Sequence, residues 1–92
     1  MYGNCALCRR WAVLEAHHVF TGPHRKKADK YGAVIHICPD CHRGRYGVQY
    51  NRALADKLKA KFQLKIMRQQ GWDRARFIQE FGRNYIKEDD DA

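Results

Sequence analysis

The chain has 92 residues, with 18 Lys and Arg against 10 Asp and Glu, a formal net charge of +8 and 45% hydrophobic residues. A chain this short buries only about 60% of its unfolded surface, so a thin core needs a staple. It is too small for a Rossmann domain with a substrate domain, or for a barrel enzyme. It also lacks the roughly 18-residue apolar run of a membrane span, and its opening, MYGNCALCRR, lacks the apolar stretch of a secretory signal.

Residues 1–10 hold a first knuckle, Cys5-Ala-Leu-Cys8, followed by Arg9 and Arg10. Trp11 to Phe20 is rich in β-branched and aromatic residues and predicts one strand. Alternation puts Leu14, Ala16 and His18 on one face, and Val13, Glu15, His17 and Val19 on the other. Thr21 to Gly32 opens with Gly22-Pro23 and predicts a loop that is strongly basic through His24, Arg25, Lys26, Lys27 and Lys30. Ala33 to Cys38 predicts a second strand, antiparallel to the first. The second knuckle, Cys38-Pro-Asp-Cys41, leads through Gly44 and Gly47, which suggest turns, although a short helix starting near Asp40 also fits.

Asn51 is placed to cap a helix from about Arg52 to Gln69, since Leu54, Leu58, Phe62 and Ile66 recur every fourth residue. Lys57, Lys59, Lys61, Lys65 and Arg68 fill other positions, and Gly71 ends the helix. Asp73 caps a second, shorter helix to about Phe81, ended by Gly82. These elements form one domain over residues 1–87, and the acidic tail 88–92 is expected to be disordered.

Each C-x-x-C turn aims two thiolates at one point, and two such turns complete the tetrahedron that Zn²⁺ prefers. The candidate zinc ligands are Cys5, Cys8, Cys38 and Cys41, with 29 residues between Cys8 and Cys38, enough for a hairpin. Two disulfides or a redox pair are the alternatives. A reducing compartment disfavours the disulfides, and two copies in a basic chain fit zinc better than redox chemistry. Glu15-Ala16-His17-His18-Val19 lies at the end of the first predicted strand, and Cys41-His42 follows the second. Histidines so placed can converge across a hairpin. Adjacent strand residues face opposite ways, which gives His17 and His18 different tasks. His36 reads as structural, His24 as an ordinary loop residue, Glu15 as a partner for a nearby Arg and Asp40 as a turn cap.

In combination, Cys5-x-x-Cys8, Glu15-Ala16-His17-His18-Val19 and Ile37-Cys38-x-x-Cys41-His42 resemble the HNH endonucleases, the zinc-stapled branch of the ββα-metal nucleases. The likeness spans residues 5–42. Arg25-Lys26-Lys27 through Tyr31-Gly32, Gly47-Val48 and Phe81-Gly82-Arg83-Asn84-Tyr85 extend it towards small phage and prophage HNH proteins linked to recombination. The resemblance implies a small α+β fold: a ββα-metal unit stapled by the four-cysteine zinc site, followed by C-terminal helices. It implies that His18 is the general base and that His17 and His42 bind a catalytic divalent metal (Mg²⁺, Mn²⁺ or Ni²⁺). Gln49, standing where the narrower group has a His, would offer an oxygen ligand. The implied reaction is hydrolysis of DNA phosphodiester bonds to 5′-phosphate and 3′-hydroxyl ends, in phage recombination or DNA processing. The implied setting is the cytoplasm of a bacterial host, with a phage-encoded chain and a recombination or assembly protein as a further partner.

A positive excess of this size favours a polyanionic partner, DNA rather than a membrane surface. Arg43 and Arg45, just past His42, are candidates to hold the scissile phosphate, because the guanidinium forks onto phosphate. Arg25, Lys26, Lys27 and Lys30 are candidate DNA-backbone contacts, and such contacts position DNA without reading its sequence. Ala33 stands where the family often carries an Asn. With Gln49 it favours the alternative of a non-catalytic zinc-stapled DNA-binding module with the nuclease fold. A third alternative, a protein-interaction adaptor, predicts an exposed apolar patch around Trp72, Phe77 and Tyr85.

Overall fold

The structure, a computed structural model, describes residues 1–87; the acidic tail 88–92 lies outside the described residues. It is a small α+β fold built on two antiparallel hairpins, with helices towards the C-terminus. The long strand expected over Trp11–Phe20 is divided. β2 (Trp11–Val13) pairs with a strand the sequence reading did not anticipate, β1 (Tyr2–Asn4), in the register Tyr2↔Val13 and Asn4↔Trp11. Leu14 is the break, and its N–H donates to the Met1 carbonyl at 2.7 Å. The first knuckle is therefore the turn of a hairpin. Arg9 at its end takes a left-handed φ of 70°, and its N–H closes the turn on the Cys5 carbonyl.

β3 (Glu15–His18) pairs with β4 (Val34–Ile37) in the register Glu15↔Ile37 and His18↔Val34. This is the predicted antiparallel hairpin, shortened at both ends. The segment between its strands is not a plain loop. A 3-10 turn over Gly22–His24 leads into α1 (Arg25–Lys30), which buries Ala28 completely. A single apolar residue among charged ones leaves no helical period to read, so the turn of helix was hidden in the sequence. α1 holds the hairpin from outside: Ala33 N–H donates to the Ala28 carbonyl, and Val19 N–H to that of Ala33.

α2 (Pro39–Arg43) is the short helix foreseen near Asp40. Its first residue is Pro39, whose missing N–H costs nothing at a helix start. The chain then folds back on α2, with Val48 N–H on the Cys41 carbonyl and Gln49 N–H on the His42 carbonyl. Gly44 and Gly47 permit this. An added Cβ would stand 2.5 Å from the Asp40 carbonyl oxygen at Gly44, and 2.6 Å from the same atom at Gly47.

α3 (Arg52–Gln70) and α4 (Arg74–Phe81) match expectation. Asn51 Oδ1 accepts from Leu54 N–H, and Asp73 Oδ1 from Arg76 N–H. Each cap contributes about 1 kcal/mol. The core joins the hairpins to these helices through Phe20, Ile37, Ile66, Phe77 and Phe81. Phe20 lies 4.7 Å from Phe81 and 5.6 Å from Tyr85, centre to centre. The patch expected of an adaptor is absent: Phe77 is fully buried, and Trp72 and Tyr85 pack against the core. Gln63, also fully buried, fixes the C-terminal segment by donating to Asn84 Oδ1 and accepting from Tyr85 N–H. Among the described residues, no helix is long and apolar enough to cross a membrane.

Candidate metal centre and histidine site

The two knuckles meet. The Sγ atoms of Cys5, Cys8, Cys38 and Cys41 all lie within 4.8 Å of one another. Cys8 Sγ and Cys38 Sγ are 3.7 Å apart, and all four cysteines are free. Zn–S bonds of about 2.3 Å give tetrahedral sulfur–sulfur edges of about 3.8 Å, so the cluster has the donor set and spacing for zinc. Backbone geometry prepares the first knuckle, with Leu7 N–H and Cys8 N–H each 3.4 Å from Cys5 Sγ. Burial works against ionising Cys5, but N–H groups of Cys8, Cys38 and Leu7 outweigh it and bring the thiol down to about 6. The Arg10 side chain lowers the Cys8 thiol. Cys41 is pushed up, first by burial and then by the other thiols sharing the point. A bound dication supplies the charge that lets such a thiol ionise.

The cluster fixes where β4 ends and α2 begins, and so where the histidines stand. β3 uses its two faces differently, as alternation requires. Glu15 and His17 face α2: the His17 and His42 ring centres are 5.3 Å apart, edge to face, and His42 Nδ1 is 2.8 Å from Glu15 Oε1. Two imidazoles bound about 2.1 Å from one metal have centres about 5 Å apart. Burial lowers the His17 pKa below its ordinary 6.5, and His42, His18 and Lys59 reinforce the shift. The shift favours the neutral ring, the form that ligates metal. His18 takes the other face. Its side chain is 17% exposed, and Nε2 lies 2.8 Å from Asp29 Oδ1 on α1.

Arg43 meets Glu15 with two hydrogen bonds, Nε to Oε1 at 3.1 Å and Nη2 to Oε2 at 2.6 Å. Arg43, then His42, hold the Glu15 carboxyl below its ordinary range. Glu15 is therefore the Arg partner expected, and an orienting group for His42 as well. Arg45 is exposed, 5.6 Å over the Tyr46 ring. Gln49 is exposed, and its backbone meets His42.

The basic residues separate. Arg25, Lys26 and Lys30 are exposed on α1, whereas Lys27 turns to α4, donating to the Glu80 carbonyl and pairing with its carboxylate at 3.7 Å. Lys57, Lys61, Lys65 and Arg68 are exposed on α3, while Lys59 is half-buried and near enough to His17 to bear on its charge. His36 is exposed on β4, and its carbonyl accepts from Ala6 N–H. His24 is no ordinary loop residue: it packs 5.9 Å from Phe81, with Nδ1 buried and without a partner among the described residues.

Two contributors escaped the sequence reading. Asp29 is 11 residues beyond His18 and reaches it only through the unforeseen helix α1. Lys59 belongs to a helix whose lysines all read alike in sequence. Comparison of the chain with protein-family models, curated proteins and solved structures finds no match.

Proposed function

We propose that this chain is a metal-dependent endonuclease of the HNH kind that hydrolyses DNA phosphodiester bonds, leaving 5′-phosphate and 3′-hydroxyl ends. The observation that carries the reading is the 5.3 Å approach of His17 and His42 across a hairpin–helix unit, next to a four-cysteine cluster. His17 and His42 would hold the divalent ion, which when bound polarises the scissile phosphate and stabilises the leaving oxygen. Glu15 orients the His42 ring and fixes its tautomer, the usual office of a carboxylate behind a ligand histidine. His18 stands on the face of β3 opposite His17, with Nε2 engaged by Asp29, and would serve as general base where the twisting strand end brings it to the attacking water. Arg45 is free of acidic partners among the described residues and is the better placed of the two arginines to meet phosphate, since Arg43 is committed to Glu15. Two imidazoles suit Mn²⁺ or Ni²⁺ better than Mg²⁺. The backbone contacts come from Arg25, Lys26 and Lys30, so binding weakens steeply with salt and discriminates little by sequence.

One observation favours a second reading, a zinc-stapled DNA-binding module without catalysis. Among the described residues, only the four cysteines form a cluster of three or more His, Cys, Asp or Glu side chains close enough to share an ion, so His17 and His42 have no third ligand of those types beside them. Nicking of supercoiled plasmid separates the two readings. The parent chain nicks in Mg²⁺, Mn²⁺ or Ni²⁺, and His18→Ala lowers the rate about 10²–10⁴-fold with zinc content and DNA affinity unchanged. A parent that binds but never nicks supports the second reading, and a His18→Ala chain that cuts at the parent rate removes His18 from the chemistry.

A further inference from the structure

We propose that the outer face of the β1–β2 hairpin is a stacking platform for unpaired bases, and that the DNA this chain engages is single-stranded where it crosses that face. The inference rests on reading the chain as a DNA-binding protein, and adds to it the form of the DNA.

The aromatic residues divide sharply. All four Phe are buried, yet Tyr2, Trp11, Tyr46 and Tyr50 are 69%, 71%, 81% and 68% exposed. A chain short of core would gain about 25 cal/mol for every Å² of such surface it covered. Local structure leaves these rings outside. In the register Tyr2↔Val13 and Asn4↔Trp11, these side chains share one face of the hairpin. Gly3 and Ala12 take the other face, with Leu14 packed 3.0 Å from where a Gly3 Cβ would stand. The inner face is closed by the fold, and the outer one is open. Tyr2 and Trp11 are diagonal neighbours, about 7–8 Å apart at the backbone, close enough to form one aromatic surface.

Charge selects the occupant. Arg9 and Arg10 close the hairpin, and no acidic residue precedes Glu15. Arg10 and Trp11 border a cleft of about 210 Å³ whose far wall is Pro39 and Asp40, at the start of the helix that carries His42, and Arg10 reaches across it to the Asp40 carboxylate at 3.4 Å, an exposed pair of little strength. Beyond that helix the pattern repeats, with Arg45 over Tyr46 and then Tyr50. Arginine–aromatic surfaces thus flank α2 at both ends. Rings beside arginines bind nucleic acid through base stacking and phosphate charge together, and every base offers a π-face only when it is unpaired. A duplex hides those faces, so the platform favours a single strand.

Trp11 reports on the platform directly. In a Trp72→Phe background its indole is the sole tryptophan, and titration is followed with added Mg²⁺, Mn²⁺ and Ni²⁺ absent. Oligo(dT) is expected to quench Trp11 emission strongly, while a duplex of equal length leaves it nearly unchanged. Anisotropy of labelled oligo(dT) should show Trp11→Ala weakening binding about 5- to 100-fold, with the circular dichroism unaltered. Tyr2→Ala provides a second variant with the same expected direction. Oligo(dT) that binds without quenching, and equally well to Trp11→Ala, overturns the platform and leaves the nuclease reading standing. Quenching by oligo(dT) in a chain that never nicks plasmid upholds the platform and removes the nuclease. Failure to bind either oligonucleotide overturns the platform and turns the hairpin face towards a protein partner.

Discussion

His18 ends β3 with Nε2 2.8 Å from Asp29 Oδ1, and that contact is the most informative single distance in the site. A carboxylate behind a histidine fixes the ring and its tautomer. Replacing Asp29 by Asn keeps the shape and loses the charge. Asp29→Asn should therefore slow plasmid nicking about 10–100-fold while DNA affinity and melting temperature stay as in the parent, and Asp29→Glu should recover part of the rate. An unchanged rate in Asp29→Asn would make the contact an exposed ion pair of little consequence. At this scale the sequence was partly readable. Alternation along a strand predicts opposite directions for His17 and His18, and the structure keeps them on opposite faces. Asp29 was unreadable, because its approach to His18 depends on a turn of helix marked by one buried alanine.

Among the elements, the helix–turn unit over residues 39–48 carries Cys41, His42 and Arg43, and its shape depends on close backbone approach. At Gly47 a Cβ would lie 2.6 Å from the Asp40 carbonyl oxygen and 2.8 Å from that of Cys41, and neither is a flexible side-chain tip that can yield. Gly47→Ala is expected to cost about 1–3 kcal/mol in urea denaturation, and to reduce nicking as α2 shifts. Wild-type stability in Gly47→Ala would show that the turn relaxes at no cost. The two glycines announced a turn, but not that it would fold against α2. The long helix α3 was legible because Leu58, Phe62 and Ile66 repeat at helical spacing over a capped span. The first strand was misjudged because β propensity runs unbroken from Trp11 to Phe20, while the actual division at Leu14 comes from pairing with residues 2–4. Pairing of this kind is a tertiary choice, and propensity does not record it.

For the whole molecule, the cysteine cluster joins the first hairpin to the base of the second, and the remaining core is mainly the aromatic group around Phe20. With so little apolar burial, an ion held by the four cysteines would contribute directly to folding. Adding a strong chelator should abolish cooperative thermal unfolding followed by circular dichroism, and zinc should restore it; a chelated chain with an unchanged melt would make the cluster dispensable. The placement of the cysteines has one more consequence. Cys5 and Cys8 come before α1, Cys38 and Cys41 come after it, and α1 itself exposes Arg25, Lys26 and Lys30. A tryptic nick there severs the polypeptide between the two halves of the cysteine cluster, the donor set for an ion. The cut molecule should still elute from a sizing column as a single species, its fragments held by the ion and by the β3–β4 ladder, and should fall into two pieces once the ion is withdrawn.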